Sequence, residues 1–199
     1  MTHIPPSRPR LTQKELLTAI KKQFPKFLTT FDFKSNLWLC GIRGYYKQTM
    51  GDPNSNDRGI YDDAIFIVSP NVFAAYNANT DPSVYRPGTR VRKGIAVLEP
   101  GVWPCYMFDT HNGSVPHPAI CQRKGVVTVR RDGGELDTGM FGINIHRGGR
   151  VGTSSEGCQT LPPAQWDAFY NAAKAEAIRV YGNAYKKQIL TYVLLNDIW

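Results

Sequence analysis

Apolar positions along the chain fall into many short runs, each closed by glycine, proline or an Asn/Asp cluster, and two stretches break that rhythm with helical spacing. In the first, Leu16, Leu17, Ile20 and Phe24 follow the capping box Thr12-Gln-Lys-Glu15 and stop at Pro25, which predicts an amphipathic helix over 12–24 packed on the domain. In the second, Trp166, Phe169, Tyr170, Ala173, Ala177 and Val180/Tyr181 form one apolar stripe, opened by Pro162-Pro163 and ended by Gly182-Asn183. Between and beyond them the pattern predicts strands. One or two lie in Phe31–Tyr46, followed by Tyr61–Val68, Asn71–Tyr76, Gly94–Leu98, Val102–Phe108, Val126–Val129, Gly139–Ile145 and a closing Gln188–Leu195. Gly51–Gly59 and Asn77–Gly94 read as loops. The expected fold class is α+β, mainly β: a sandwich or barrel-like body with an N-terminal helix and a second helix directly after a cysteine-bearing loop.

Length and composition refine this. A chain of 199 residues fits one domain over 11–199 behind a flexible, proline-rich lead at 1–10. Eighteen glycines and fourteen prolines scattered between apolar runs favour turns over a helical bundle. The net charge of +8 calls for anionic partners, but Lys and Arg are spread along the chain without a long basic arm, which disfavours nucleic acid. The N-terminus lacks the apolar centre of a signal peptide, and no run is long enough to span a membrane. The expectation is therefore synthesis in the cytoplasm. Oligomeric state is open.

The four cysteines, Cys40, Cys105, Cys121 and Cys158, include no Cys-x-x-Cys pair and suggest neither a disulfide framework nor a zinc finger. Cys40 and Cys105 have apolar neighbours and read as buried, inert thiols. Cys158 stands among Gly, Glu and Gln. In a strand over Phe141–His146, Phe141, Ile143 and Ile145 would enter the core while Asn144 and His146 face a groove. A glycine-rich loop with Gly148, Gly149 and Gly152 follows, then Ser154-Ser-Glu-Gly-Cys158. Gly157 fits a tight turn that exposes the thiol and aims backbone N–H groups at an oxyanion. A nearby imidazolium and the following helix would favour a thiolate. Ser154 and Ser155 are candidates for positioning substrate or holding the loop. Asn144 or a backbone carbonyl would orient His146.

The stretch Ile-Asn-Ile-His146…Ser155-Glu-Gly157-Cys158 resembles the signature of L,D-transpeptidase catalytic domains (the YkuD family): a histidine ending a strand, a glycine-containing loop, then Ser-x-Gly-Cys. The likeness is close over about 20 residues and loose over the β-rich setting of 70–160. It implies that Cys158 attacks a peptide bond of a peptidoglycan stem to form a thioester, with His146 as base and the Gly157 and Cys158 N–H groups holding the oxyanion. An amine or water resolves the thioester. Arg147 stands where a small residue commonly follows the histidine, and Thr160 where an arginine or asparagine often stands. With Ser154, Ser155 and Asn144 they are the expected substrate-binding positions. No cofactor or metal is implied. Without an export signal the chain looks more like a phage lysis protein (an endolysin) or a delivered effector, reaching the periplasm or cell wall after release, where hydrolysis is favoured over cross-linking.

Other constellations are weaker. Asp109, His111 and His117 match no defined ligand pattern and read as groove-side loop residues. Asp62-Asp63 is expected to face solvent at a strand start. Papain-like peptidases place Cys before His, the reverse of the order here. A non-catalytic cell-wall-binding or phage structural module is the rival class.

Overall fold

The computed structural model describes residues 3–32, 35–113 and 115–198. Helices α1 (Gln13–Gln23) and α2 (Pro25–Thr30) precede β1 (Trp38–Arg43), β2 (Asp63–Val68), β3 (Phe73–Ala78), β4 (Ala96–Leu98) and β5 (Gly101–His111). Strands β6 (His117–Gln122), β7 (Val127–Arg131), β8 (Leu136–Gly139), β9 (Ile145–Arg147) and β10 (Gln159–Leu161) follow. Helix α3 (Pro163–Tyr181), a 3-10 turn over Gly182–Lys187 and β11 (Leu190–Asn196) complete the order. The protein is α+β and mainly β.

Eight strands form one sheet in the order β10-β9-β6-β5-β11-β1-β2-β3, with β4-β7-β8 as a separate three-stranded sheet. Strand β1 runs parallel to β11 and β9 parallel to β10; the other neighbours are antiparallel. Asn79, just past β3, and Thr160 of β10 exchange two backbone hydrogen bonds of 2.8 Å. That bridge joins the two ends of the large sheet, which nearly closes into a barrel.

Strict alternation explains why β1 and β2 are buried on both faces. Leu39, Ile65, Ile67, Tyr192 and Leu194 enter the main core with Trp166, Phe169 and Ala173 of α3. Trp38, Cys40, Ile42, Phe66 and Val193 face the other way and meet Leu16, Ile20 and Phe27 of α1 and α2. The capping box of Thr12 and Glu15 is present. A side chain at Gly41 would run into the Tyr192 hydroxyl, so the glycine makes room for a core tyrosine.

Several expectations need correction. Met140–Asn144 is not strand, and β9 begins only at Ile145, so His146 sits at its centre. Here the Gln122 side chain replaces a neighbouring strand. Its Oε1 accepts from the Gly142 and Ile143 N–H groups at 2.9 and 3.1 Å, and Gly142 takes φ +72°. The helix does not directly follow the cysteine loop, because β10 intervenes. Strands β6, β8 and β10 lack a clear sequence signal. Asp62 and Asp63 are fully buried rather than solvent-facing. Asp63 caps backbone, accepting from the Gly44 and Thr80 N–H groups at 2.6 Å each.

Residues 3–10, read from sequence as a flexible lead, make defined contacts. His3 O accepts from Tyr61 N at 2.8 Å, Ser7 O accepts from the Tyr46 hydroxyl at 2.9 Å, and Arg8 lies over the Tyr76 ring. Residues 1–2 of that lead, 33–34 of the Phe31–Tyr46 stretch and 199 at the chain end lie outside the described residues. No described helix is long and apolar enough to cross a membrane.

Candidate active site

Parallel pairing of β9 with β10 sets Thr160 opposite His146 and Gln159 opposite Ile145. One step earlier, Gln159 N donates to Asn144 O at 2.8 Å and Cys158 Sγ accepts from Asn144 N at 3.4 Å. The expected alternation of faces holds in part: Ile143 and Ile145 are in the core with Phe141 partly buried against it, while Asn144 and His146 point the other way, toward His111 and Cys158, but are buried rather than facing an open groove. Ligand-capable atoms of His111, His146 and Cys158 all lie within 4.8 Å of one another.

The cysteine loop is held from several sides. The Ser155 hydroxyl donates to Cys158 O at 2.6 Å and accepts from Gly157 N at 3.0 Å. Ser155 N donates to Ser83 Oγ at 2.7 Å, and Ser83 N donates to Ser155 O at 2.8 Å. The buried Tyr192 hydroxyl donates to Gln159 Oε1 at 3.1 Å, while Gln159 Nε2 donates to Gly157 O at 3.3 Å. Tyr61 donates to Gly149 O at 2.8 Å, tethering the glycine loop. Gly157 takes φ +142°, and a Cβ there would come 2.8 Å from Ala96 O, so the turn requires glycine.

Three imidazoles meet here. His146 stacks on His111 with ring centroids 4.4 Å apart, and His117 lies edge-on to His146 at 5.5 Å. His146 Nδ1–H donates to Arg147 O at 2.7 Å, which leaves Nε2 with a lone pair. A backbone carbonyl therefore orients His146. Asn144 turns to His111, donating from Nδ2 to Nδ1 at 2.9 Å while its Oδ1 accepts from Gln122 N.

Burial governs the charges. It lowers His146 to about 4, outweighing the Arg147 carbonyl, with further lowering from His111 and His117. It pushes the Cys158 thiol up to about 11, although part of the residue's surface stays open. The expected thiolate–imidazolium pair is thus a neutral thiol beside a neutral imidazole.

The remaining candidates divide. Gly157 N–H, expected to hold an oxyanion, is donated to Ser155 Oγ. Of the two roles expected of Ser155, positioning substrate or holding the loop, its burial and its bonds to Cys158 O and Gly157 N fit the second. Thr160 is fully buried in the barrel-closing bridge, so it is not presented to a substrate. Ser154 is exposed at φ +53°, and Arg147 is exposed beside His146. His111 and His117 are not loop residues but the paired ends of β5 and β6. Asp109 leaves them and pairs with Arg123 at 2.6 Å. Sequence reasoning missed His111 as a neighbour of the thiol, and Gln122, Ser83 and Tyr61 as holders of the site. An unrecognised hairpin between β5 and β6 hid the first. A cleft of about 720 Å³ lined by Arg43, Arg58, Arg130 and Arg131 lies elsewhere on the surface, and all four arginines are ion-paired. The chain matches no protein-family model and no curated protein.

Proposed function

We propose that this chain is a cysteine-dependent acyl-transfer enzyme that cleaves stem peptides of bacterial peptidoglycan. The observation that carries the reading is the approach of Cys158 Sγ and a His146 nitrogen to within 4.8 Å, with His146 held by a backbone carbonyl. As the sulfur attacks the carbonyl carbon, the thiol proton passes to His146 Nε2. The C–N bond then breaks, the departing amine takes that proton, and the acyl group remains on sulfur as a thioester. Water, losing a proton to His146, attacks the thioester; the free acid leaves and the proton returns to sulfur. Since both groups rest neutral, proton transfer accompanies attack instead of preceding it. The Cys158 N–H has no hydrogen-bond partner among the described residues, which leaves it able to hold the oxyanion.

The peptidoglycan substrate rests on the resemblance around His146 and Cys158 and on the net charge of +8, which suits an anionic envelope. The same reading has the protein act in the periplasm or wall after release or delivery. Digestion of purified peptidoglycan by wild type and Cys158→Ala, followed by fragment mass analysis, tests it. New stem-peptide fragments with wild type alone support the mechanism. Equal digestion by the alanine variant overturns it.

The raised thiol pKa favours a second reading, a wall-binding module that keeps the scaffold without catalysis. It expects equal co-sedimentation of wild type and Cys158→Ala with peptidoglycan, and unchanged stem peptides in both.

A further inference from the structure

His111, His146 and Cys158 come from β5, β9 and the loop before β10, and among the described residues theirs is the single convergence of three His, Cys, Asp or Glu ligand atoms. Two histidines here have the support usual for metal ligands. His146 and His117 each donate Nδ1–H to a backbone carbonyl, of Arg147 at 2.7 Å and Val115 at 2.9 Å. That fixes the tautomer with a lone pair on Nε2. His117 Nε2 is buried without any partner, and its ring centroid lies 5.2 Å from His111 and 5.5 Å from His146. A buried lone pair without a donor is costly, and a cation nearby would relieve it.

We propose that this cluster binds one divalent transition-metal ion, zinc by the chemistry of its donors, through Cys158 Sγ, His146 Nε2 and a nitrogen of His111, and that bound metal withholds the thiol from acyl transfer. Imidazole and thiolate donors suit zinc, whereas carboxylate-seeking magnesium and calcium find no oxygen cage in this trio. With Zn–N of about 2.0 Å and Zn–S of about 2.3 Å, ligands of a tetrahedral ion stand roughly 3.5 Å apart. The trio therefore closes by about an ångström on binding. Coordination through His111 Nδ1 replaces its hydrogen bond from Asn144. His117 Nε2 or a water completes the sphere. Cys158 releases its proton to solvent as the sulfur–metal bond forms, so one proton leaves per ion and affinity rises with pH. Withholding of the thiol rests on the proposed role of Cys158 as nucleophile; the site itself does not.

The test is cobalt(II) titration of the reduced, chelator-treated full chain, with zinc as competitor. The site predicts one ion per chain, a thiolate-to-cobalt absorption band, and loss of the band on adding zinc. Cys158→Ser, checked for native circular dichroism, abolishes the band. His111→Ala and His146→Ala each weaken binding by about tenfold or more. No band in wild type, or an undiminished band in Cys158→Ser, overturns the site. Peptidoglycan cleavage by the metal-free chain, lost on adding one equivalent of zinc, supports the masking role, and cleavage unaffected by bound zinc overturns it. A cobalt band in a chain that cleaves nothing without metal leaves the metal site standing and removes the acyl-transfer reading.

Discussion

His146 and His111 lie face to face, 4.4 Å between ring centroids and 8° from parallel, so a proton on either ring sets positive charge against its neighbour. Burial is the larger effect and lowers both rings, His146 to about 4; His111 and His117 lower His146 further, and His117 and Arg123 lower His111. The pair stays neutral where an ordinary histidine would be charged. An unfolded histidine titrates near 6.5, so below that pH the unfolded chain takes up a proton that folded His146 refuses. His146 should therefore have no effect on the pH dependence above about 7 and should destabilise the fold as pH falls from about 6.5 to 4. The loss should reach about 3 kcal/mol, of which His146→Gln removes most. Thermal melts of both proteins from pH 7 to 4 measure it, and an NMR titration of the His146 ring with a midpoint near 6.5 would contradict it.

Cys158 tells the same story from the thiol side. With its pKa near 11, roughly one molecule in ten thousand holds a thiolate at pH 7. Alkylation of native protein by iodoacetamide, followed at the Cys158 peptide by mass, should rise about tenfold per pH step without a plateau below pH 10. A plateau near neutrality would show an imidazolium-stabilised thiolate and would contradict the neutral pair.

Much of this arrangement was legible in the sequence, and what was hidden has a common cause. Helices α1 and α3 declared themselves because Thr12, Glu15 and Pro25, and later Pro162 and Gly182, mark ends that apolar spacing alone leaves vague, whereas α2 went unread because Pro25 looks like the stop of one helix rather than the first turn of another. The direction of Asn144 and His146 could be read because alternation survives even where the strand does not. The supports of Met140–Asn144 could not be read, because Gln122 replaces a backbone ladder with one side-chain amide from another strand. His111 was missed for a related reason. Its place beside Cys158 depends on the β5–β6 hairpin, and Pro118 near the start of β6 weakens the strand signal there. Burial of Asp62 and Asp63 was invisible because local polarity says nothing about which backbone N–H groups need an acceptor.

Support of the cysteine loop can be tested at Gly157. Its φ of +142° and the nearby Ala96 carbonyl leave no room for a Cβ. Gly157→Ala should cost roughly 1–3 kcal/mol and change the alkylation rate of Cys158. Tyr192→Phe removes the hydrogen bond to Gln159 Oε1 and should cost about 1 kcal/mol. Urea unfolding of both variants checks the order. A Gly157→Ala protein as stable as wild type would mean that the loop adopts another conformation.

The opposite pH dependence resides in Asp62 and Asp63. Both are fully buried, and desolvation raises both, with Asp63 adding to the rise of Asp62 and Asp81 to that of Asp63. Asp63 accepts from Gly44 N, Thr80 N and Thr80 Oγ1, whereas Asp62 accepts from Asp57 N and its Oδ1 has no partner. The proton that the pair retains therefore sits on Asp62. Here the folded pKa lies above the unfolded one, so the sign reverses: folding is favoured at acid pH, and stability falls as pH rises from about 4 into the alkaline range. Asn mimics the protonated acid and carries no charge to desolvate. Asp62→Asn should be near neutral at pH 5 and stabilising by about 1–3 kcal/mol at pH 9. Comparing variant with wild type at each pH cancels the other titrating groups. Destabilisation that is equal at both pH values would show that Asp62 is held as a carboxylate.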